Sequence, residues 1–101
     1  MPNYEISFLA DEDLENIARY TIRTWDVEQA EKYMALLDKH FEELGTDKVR
    51  TRVFIKHRKE LKVSRCQKHV VFHLGRIDSV PLILAVLHES MDLMERLKGR
   101  L

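Results

Sequence analysis

Cysteine is nearly absent from this sequence. Cys66 is the only one in 101 residues, which excludes an internal disulfide and a zinc site built on cysteine pairs. A reducing cytosol fits that usage best. Long apolar runs are missing too, and none approaches the roughly 20 residues that a membrane helix needs. The N-terminal stretch MPNYEISFLADED has no basic segment followed by an apolar core. A secretory signal is therefore not expected, and a cytoplasmic location is. Internal repeats, low-complexity tracts and linkers are also lacking. The rest is an ordinary globular composition, 45% hydrophobic and 34% charged, with room for a single domain over residues 1–101 and one core.

Net charge is absent as well, because seventeen bases balance seventeen acids. That balance hides a split. Residues 1–47 hold twelve acids against four bases, and residues 48–101 hold thirteen bases against five acids. The basic half is densest from Lys48 to Lys68, with nine Lys/Arg and one acid, Glu60. Such asymmetry is the footprint of a face made for an anionic or acidic partner, or else of a solvated surface that keeps the chain soluble.

The order of elements follows from periodicity. Tyr4 to Phe8 alternates apolar and polar, as a short strand does. Leu14, Ile17, Ala18, Thr21, Ile22 and Trp25 then form the stripe of an amphipathic helix, with Asp11, Glu12 and Asp13 crowding its first turn. Asp26 and Gln29 stand at capping-box spacing, so a second helix begins at Val27. Its stripe is Val27, Ala30, Met34, Leu37, Phe41 and Leu44, and Gly45 stops it in the left-handed cap conformation. The two helices make an antiparallel hairpin that needs a sheet to bury its remaining apolar surface. Thr51–Lys56 reads as an irregular strand or a loop. Leu61–Arg65 and His69–Leu74 read as a strand pair about a tight turn, and Val80–Leu87 as a strand buried on both faces. Met91–Leu97 forms a short helix whose Leu93 and Leu97 dock back. The expected fold is α+β: an N-terminal strand, a two-helix hairpin on an antiparallel sheet of three to four strands, and a short C-terminal helix.

Particular residues narrow this further. Ala10, Asp13, Leu14, Ile17, Tyr20 and Trp25 match the first-helix pattern Ala-x-x-Asp-Leu-x-x-Ile-x-x-Tyr with its late tryptophan. Ala30 and Tyr33 match an Ala-x-x-Tyr step. The hairpin from Leu61 to His73 and the ending Leu87-His88-Glu89-Ser90-Met91-Asp92 complete the set. Together they cover nearly the whole chain, which resembles the ParE toxins of the ParE/RelE superfamily. Departures are His73 for the usual tyrosine, Gln67 for the usual glycine, Ala85 where arginine is frequent, and a distinct loop over 46–58. The resemblance implies a toxin of a type II toxin–antitoxin system that inhibits DNA gyrase. It also implies a ParD-like antitoxin partner, which lays a helix and an extended segment over the helical hairpin and sheet edge. DNA is then met only through the antitoxin or gyrase. On this basis Tyr20, Trp25, Tyr33 and Leu37 are candidates for antitoxin contact. Lys62, Arg65, Lys68, His69, His88, Met91 and Asp92 are candidates for target contact.

Two further readings stay open: a RelE-like ribosome-dependent messenger-RNA endonuclease, and a non-toxic relative kept for antitoxin binding and regulation. Cleavage would need acid–base groups and cations, which Lys62, Arg65, Lys68, His69, His73 and His88 could supply. Against this, Ala85 replaces the late-strand arginine and all three tyrosines, Tyr4, Tyr20 and Tyr33, lie in the first third. No catalytic residue, cofactor or metal is therefore expected. His69 and His73 share a strand face but no carboxylate is spaced to join them in a ligand set. His88 is read as a structural residue bonding to the start of the terminal helix, with Asp92 as the partner considered. His40 and His57 read as surface residues, and Trp25 and Tyr33 as hairpin-packing aromatics rather than a stacking platform. Lys56 and Lys62 alternate with apolar neighbours and so point away from the core. Both long helices are acidic on balance, which disfavours a helix lying in a DNA groove.

Overall fold

The computed structural model describes residues 3–101. The chain runs β1 (Glu5–Ile6), α1 (Phe8–Thr24), α2 (Val27–Gly45), β2 (Arg52–Ile55), β3 (Arg58–Cys66), β4 (His69–Leu74), β5 (Leu82–His88) and α3 (Leu93–Leu97). The helix starts are fixed by side-chain caps. Ser7 Oγ accepts the Ala10 N–H, and Asp26 Oδ1 accepts the Gln29 N–H at 2.7 Å, as the capping-box spacing requires. α1 thus starts at Phe8, a turn earlier than its acidic cluster suggested, and only Asp11 lies in the first turn.

The sheet corrects one expectation. It has five strands in the order β1-β5-β4-β3-β2 and is mixed, because β1 lies parallel to β5 through Glu5↔Leu82 and Ile6↔Ile83. The other pairings are antiparallel. Alternation in a short segment shows that it is extended but not which strand it joins, and β1 reaches its partner only across the whole helical hairpin. The weakly alternating Arg52–Ile55 segment does pair, as the far edge strand.

Each face of the sheet has its own core. Under α1 and α2, Ala10, Leu14, Leu37, Phe41 and Leu44 meet Cys66, Val71, Ile83 and Val86. On the opposite face, Leu61, Val63, Phe72, Leu84, Ala85 and Leu87 are covered by Leu97 of α3 and by Phe54 and Ile55 of β2. Each fully buried Leu or Phe contributes about 1.5–3 kcal/mol. β5 serves both cores through a bulge. Phe72 pairs with Ala85 but His73 pairs with Ile83, so Leu84 is an extra residue and β5 changes face around it. That is why this strand reads as apolar on both faces.

β1 covers only the first part of the β5 edge, and side chains close the next part. Ser7 Oγ donates to the Leu84 carbonyl at 3.3 Å, and the Val86 N–H donates to Asp13 Oδ2 at 3.0 Å. Arg100 grips Asp13 with both prongs, at 2.7 and 3.0 Å, and donates to the Leu84 carbonyl at 3.1 Å. The pair is largely enclosed, with side chains 15% and 13% exposed. A strand edge that would otherwise invite pairing is thereby occupied, and the C-terminal tail is fastened to α1.

Gly45 is the last residue of α2, with Thr46 as the cap, and is glycine for a different reason from the one its position suggests. It does not adopt the left-handed conformation; among the described glycines only Gly99 does, at φ +85°. Instead the chain around Asn3 passes so close that a Cβ on Gly45 would lie 2.3 Å from the Asn3 carbonyl oxygen. The tight turn after β3 does use positive φ. Gln67, at φ 57°, stands where a glycine would be unstrained.

Candidate functional site

The β3–β4 turn and the end of β5 meet at one end of the sheet because β4 pairs with both neighbours, Cys66↔His69 on one side and His69↔His88 on the other. That register gathers six of the seven predicted target-contact residues. His69 and His88 face each other edge-on with ring centroids 5.4 Å apart. Arg65 forms an ion pair with Glu89, and its Nε donates to the Gln67 carbonyl. The Glu89 N–H donates to the Lys68 carbonyl, which ties the turn to the end of β5. The Met91 N–H donates to the His88 carbonyl, and Asp92 caps α3 through the Glu95 N–H. Asp92 is thus occupied by its own helix. The side-chain partner of His88 is Ser90, whose Oγ lies 2.7 Å from Nδ1 and whose N–H also points at it.

Lys62 is the exception. It lies at mid-strand opposite His73, away from the turn. It shares a strand face with Ser64 and Cys66, which lie under α2, and is half-buried rather than pointing away from the core.

Tyr33, a predicted antitoxin contact, joins this turn cluster instead. Its hydroxyl lies 2.5 Å from His69 Nδ1, and the Lys68 N–H donates to its oxygen. With that oxygen already accepting, the hydroxyl proton goes to His69. Burial, helped by His88, pulls the His69 imidazole down to about 4, and burial raises the Tyr33 phenol. The dyad is therefore neutral near pH 7, with tyrosine the donor and histidine the acceptor. That arrangement suits a fixed brace between α2 and the turn, since neither group titrates close to neutrality.

The other predicted antitoxin contacts divide. Tyr20 is 61% exposed and Trp25 is 71% exposed, whereas Leu37 is wholly buried and unavailable to a partner. Trp25 is thus no packing residue of the hairpin. Ile22 and Val27 are also exposed, so the stripes of both helices run out past the sheet where α1 turns into α2. The result is an apolar, aromatic-bearing corner on an otherwise acidic pair of helices.

One residue read as a surface group, His40, is interior. His40 Nε2 lies 2.8 Å from Ser64 Oγ, both buried, and burial lowers the His40 pKa. Cys66 is buried beneath α2 near the Leu36 carbonyl. His73 is buried beside them, with Nδ1 unpartnered and its pKa pulled down to about 4 by burial and by Lys62. His57 is exposed as expected. Spacing could have revealed His40, which falls three residues after Leu37 and four before Leu44, within the α2 stripe.

Among the described residues, no three His, Cys, Asp or Glu side chains are grouped to hold a metal, and no helix is long and apolar enough to cross a membrane.

Known proteins agree with this architecture. Residues 4–93 match the family model for the ParE toxin of type II toxin–antitoxin systems, parDE. A protein named Toxin ParE from Escherichia coli is 37% identical over 101 residues, spanning 100% of this chain and 98% of that protein. A solved structure titled "Chromosomal ParDE TA system from P. aeruginosa" superposes with a TM-score of 0.71 at 12% identity, over 84% of this chain and 92% of that one, and so shares the fold. The chain belongs to the ParE toxin family of type II toxin–antitoxin systems.

Proposed function

We propose that this protein is a toxin that binds and inhibits DNA gyrase and is held inactive by a ParD-like antitoxin docked on the helical hairpin. The observation that carries the antitoxin half is the exposed corner formed by Tyr20, Ile22, Trp25 and Val27. Large aromatic side chains left in water on a small domain are the anchors that protein interfaces are built around. Their acidic surroundings suit a partner with basic side chains at its rim.

The gyrase half rests on family membership, supported by the turn cluster of Arg65, Lys68, His69 and His88. That end of the sheet offers Lys68 and the Arg65–Glu89 pair on a rigid frame of strands, with His69 engaged by Tyr33, fitted to contact a target rather than to perform acid–base chemistry. The endonuclease reading is weakened by two features. Ala85 is fully buried and brings no cation to the late strand, and the Tyr33–His69 dyad is occupied with itself.

Expression in cells, followed by the topology of a reporter plasmid, tests the proposal. The expected result is growth arrest with relaxed or cleaved plasmid, relieved by co-expressing a cognate ParD-like antitoxin. Arrest of translation with normal plasmid topology would transfer the assignment to the endonuclease reading. Normal growth from well-folded protein would leave a regulatory family member without toxicity.

A further inference from the structure

Charge is sorted by element in this fold. The acid-rich residues 1–47 build β1 and the two long helices, which cover one face of the sheet. The base-rich half begins at the far edge. Residues 48–59 form the loop before β2, β2 itself and the turn into β3, and they hold six Lys/Arg and no acid. Arg58 is paired with Glu60. Lys48, Arg50, Arg52, Lys56 and Lys59 are exposed, and none of them forms an ion pair among the described residues. Exposed bases elsewhere do find acids, as Arg19 does with Glu15, Lys32 with Glu28 and Lys98 with Glu95. A few lysines on an edge strand would be enough to discourage strand pairing, but this run extends past β2 in both directions.

We propose that this basic edge binds the phosphate backbone of duplex DNA directly, without reading its sequence. The cations are spread along the edge instead of converging on one point. A strand rises about 3.3 Å per residue, so Arg52 and Lys56 stand roughly 13 Å apart, which suits separate phosphates of a linear polyanion and not a single anionic group. They lie on strand, loop and turn, not on a helix that would enter a major groove, so the contact is to the backbone. The aromatic side chain of β2, Phe54, is turned into the core, its ring edge-on to Phe72 at 4.8 Å. The edge therefore lacks the stacking platform that a single strand would use. An acidic protein would be drawn by the same charge, but it would need an apolar or aromatic anchor, and Val53 is the one exposed large hydrophobic residue along 48–59. The acidic helices repel the polyanion and so turn this edge toward it. DNA contact of this kind is direct, unlike contact through an antitoxin or gyrase, and it holds whether or not gyrase is the target.

The test is fluorescence anisotropy of short labelled duplexes of two unrelated sequences, titrated with the full chain over a range of salt. Parallel titrations use single-stranded DNA of the same length and poly-glutamate. Both duplexes should bind with similar affinity, and log K should fall against log salt with a slope near about −4.5, about 0.9 for each of five cations. The R52E/K56E variant should weaken binding by about tenfold or more and reduce that slope by about 2. Both residues are exposed, so the variant should keep the wild-type fold, which its circular dichroism checks. The R19E/K32E variant carries the same change in net charge on the helices and should stay within about threefold of wild type, because exposed charges beyond a Debye length are screened. Absence of duplex binding at low salt, equal losses from the two variants, or tighter binding of the single strand or of poly-glutamate would each overturn the assignment.

Discussion

Asp13 shows how much one side chain can carry here. It accepts a main-chain N–H from β5 and both prongs of Arg100 in a largely enclosed setting. Removing one partner of such a pair strands the other charge, so Asp13→Ala should cost about 3–5 kcal/mol in chemical unfolding. Replacing both, as Asp13→Leu with Arg100→Met, should cost less than the sum of the single changes, since neither then leaves a buried charge. Strictly additive losses would show that the pair is not coupled. Gly45 offers a purely steric test. Its Ala variant must displace the chain at Asn3, so the melting temperature should fall by the equivalent of about 1–3 kcal/mol. An unchanged melting temperature would mean that the Asn3 passage is not held as described.

Elements were legible in proportion to their length and regularity. The two helices follow from stripes at helical spacing, and the junction between them from Asp26 and Gln29. The β3–β4 hairpin and β5 follow from alternation and from an unbroken apolar run. The pairing of β1 was not legible, because two residues of strand say nothing about a partner so distant in sequence. The candidate site was legible only in part. Both His69 and His88 stood in family motifs, but their contact is set by strand register, as is the Arg65–Glu89 pair. Arg100 gave no signal at all, being one more arginine in a basic tail. The exposed end of the helical stripe was misjudged for a related reason: periodicity marks which residues share a face, not how far the covering surface extends. That exposure yields a prediction at the level of the hairpin. Trp25→Ala and Tyr20→Ala should change stability by no more than about 0.5 kcal/mol. Trp25→Ala should nevertheless weaken binding of the cognate antitoxin by about 2 kcal/mol or more in calorimetry. Full-strength binding by the double variant would move the antitoxin off this corner.

At the level of the whole molecule, buried histidines couple folding to acid. His69 and His73 titrate at about 4 when folded, against about 6.5 when exposed in the unfolded chain. The unfolded state therefore binds more protons as pH falls through that window. Their contribution to stability is fully present above about pH 6.5 and is lost progressively toward pH 4. His73 should dominate, being 6% exposed, while His69 is only half-buried. The urea midpoint should decline from about pH 6.5 downward, before most carboxylates titrate, and His73→Leu should flatten the upper part of that decline. A level midpoint across the window would contradict the burial of these rings.

In the function we propose, a rigid two-core frame presents one surface to an antitoxin and another to gyrase. DNA supercoiling by purified gyrase, with the protein titrated in and its antitoxin then added, tests this most directly. Loss of supercoiling or trapped cleaved DNA, reversed by the antitoxin, is the predicted result. Undiminished supercoiling in the presence of well-folded protein that still binds its antitoxin would contradict it.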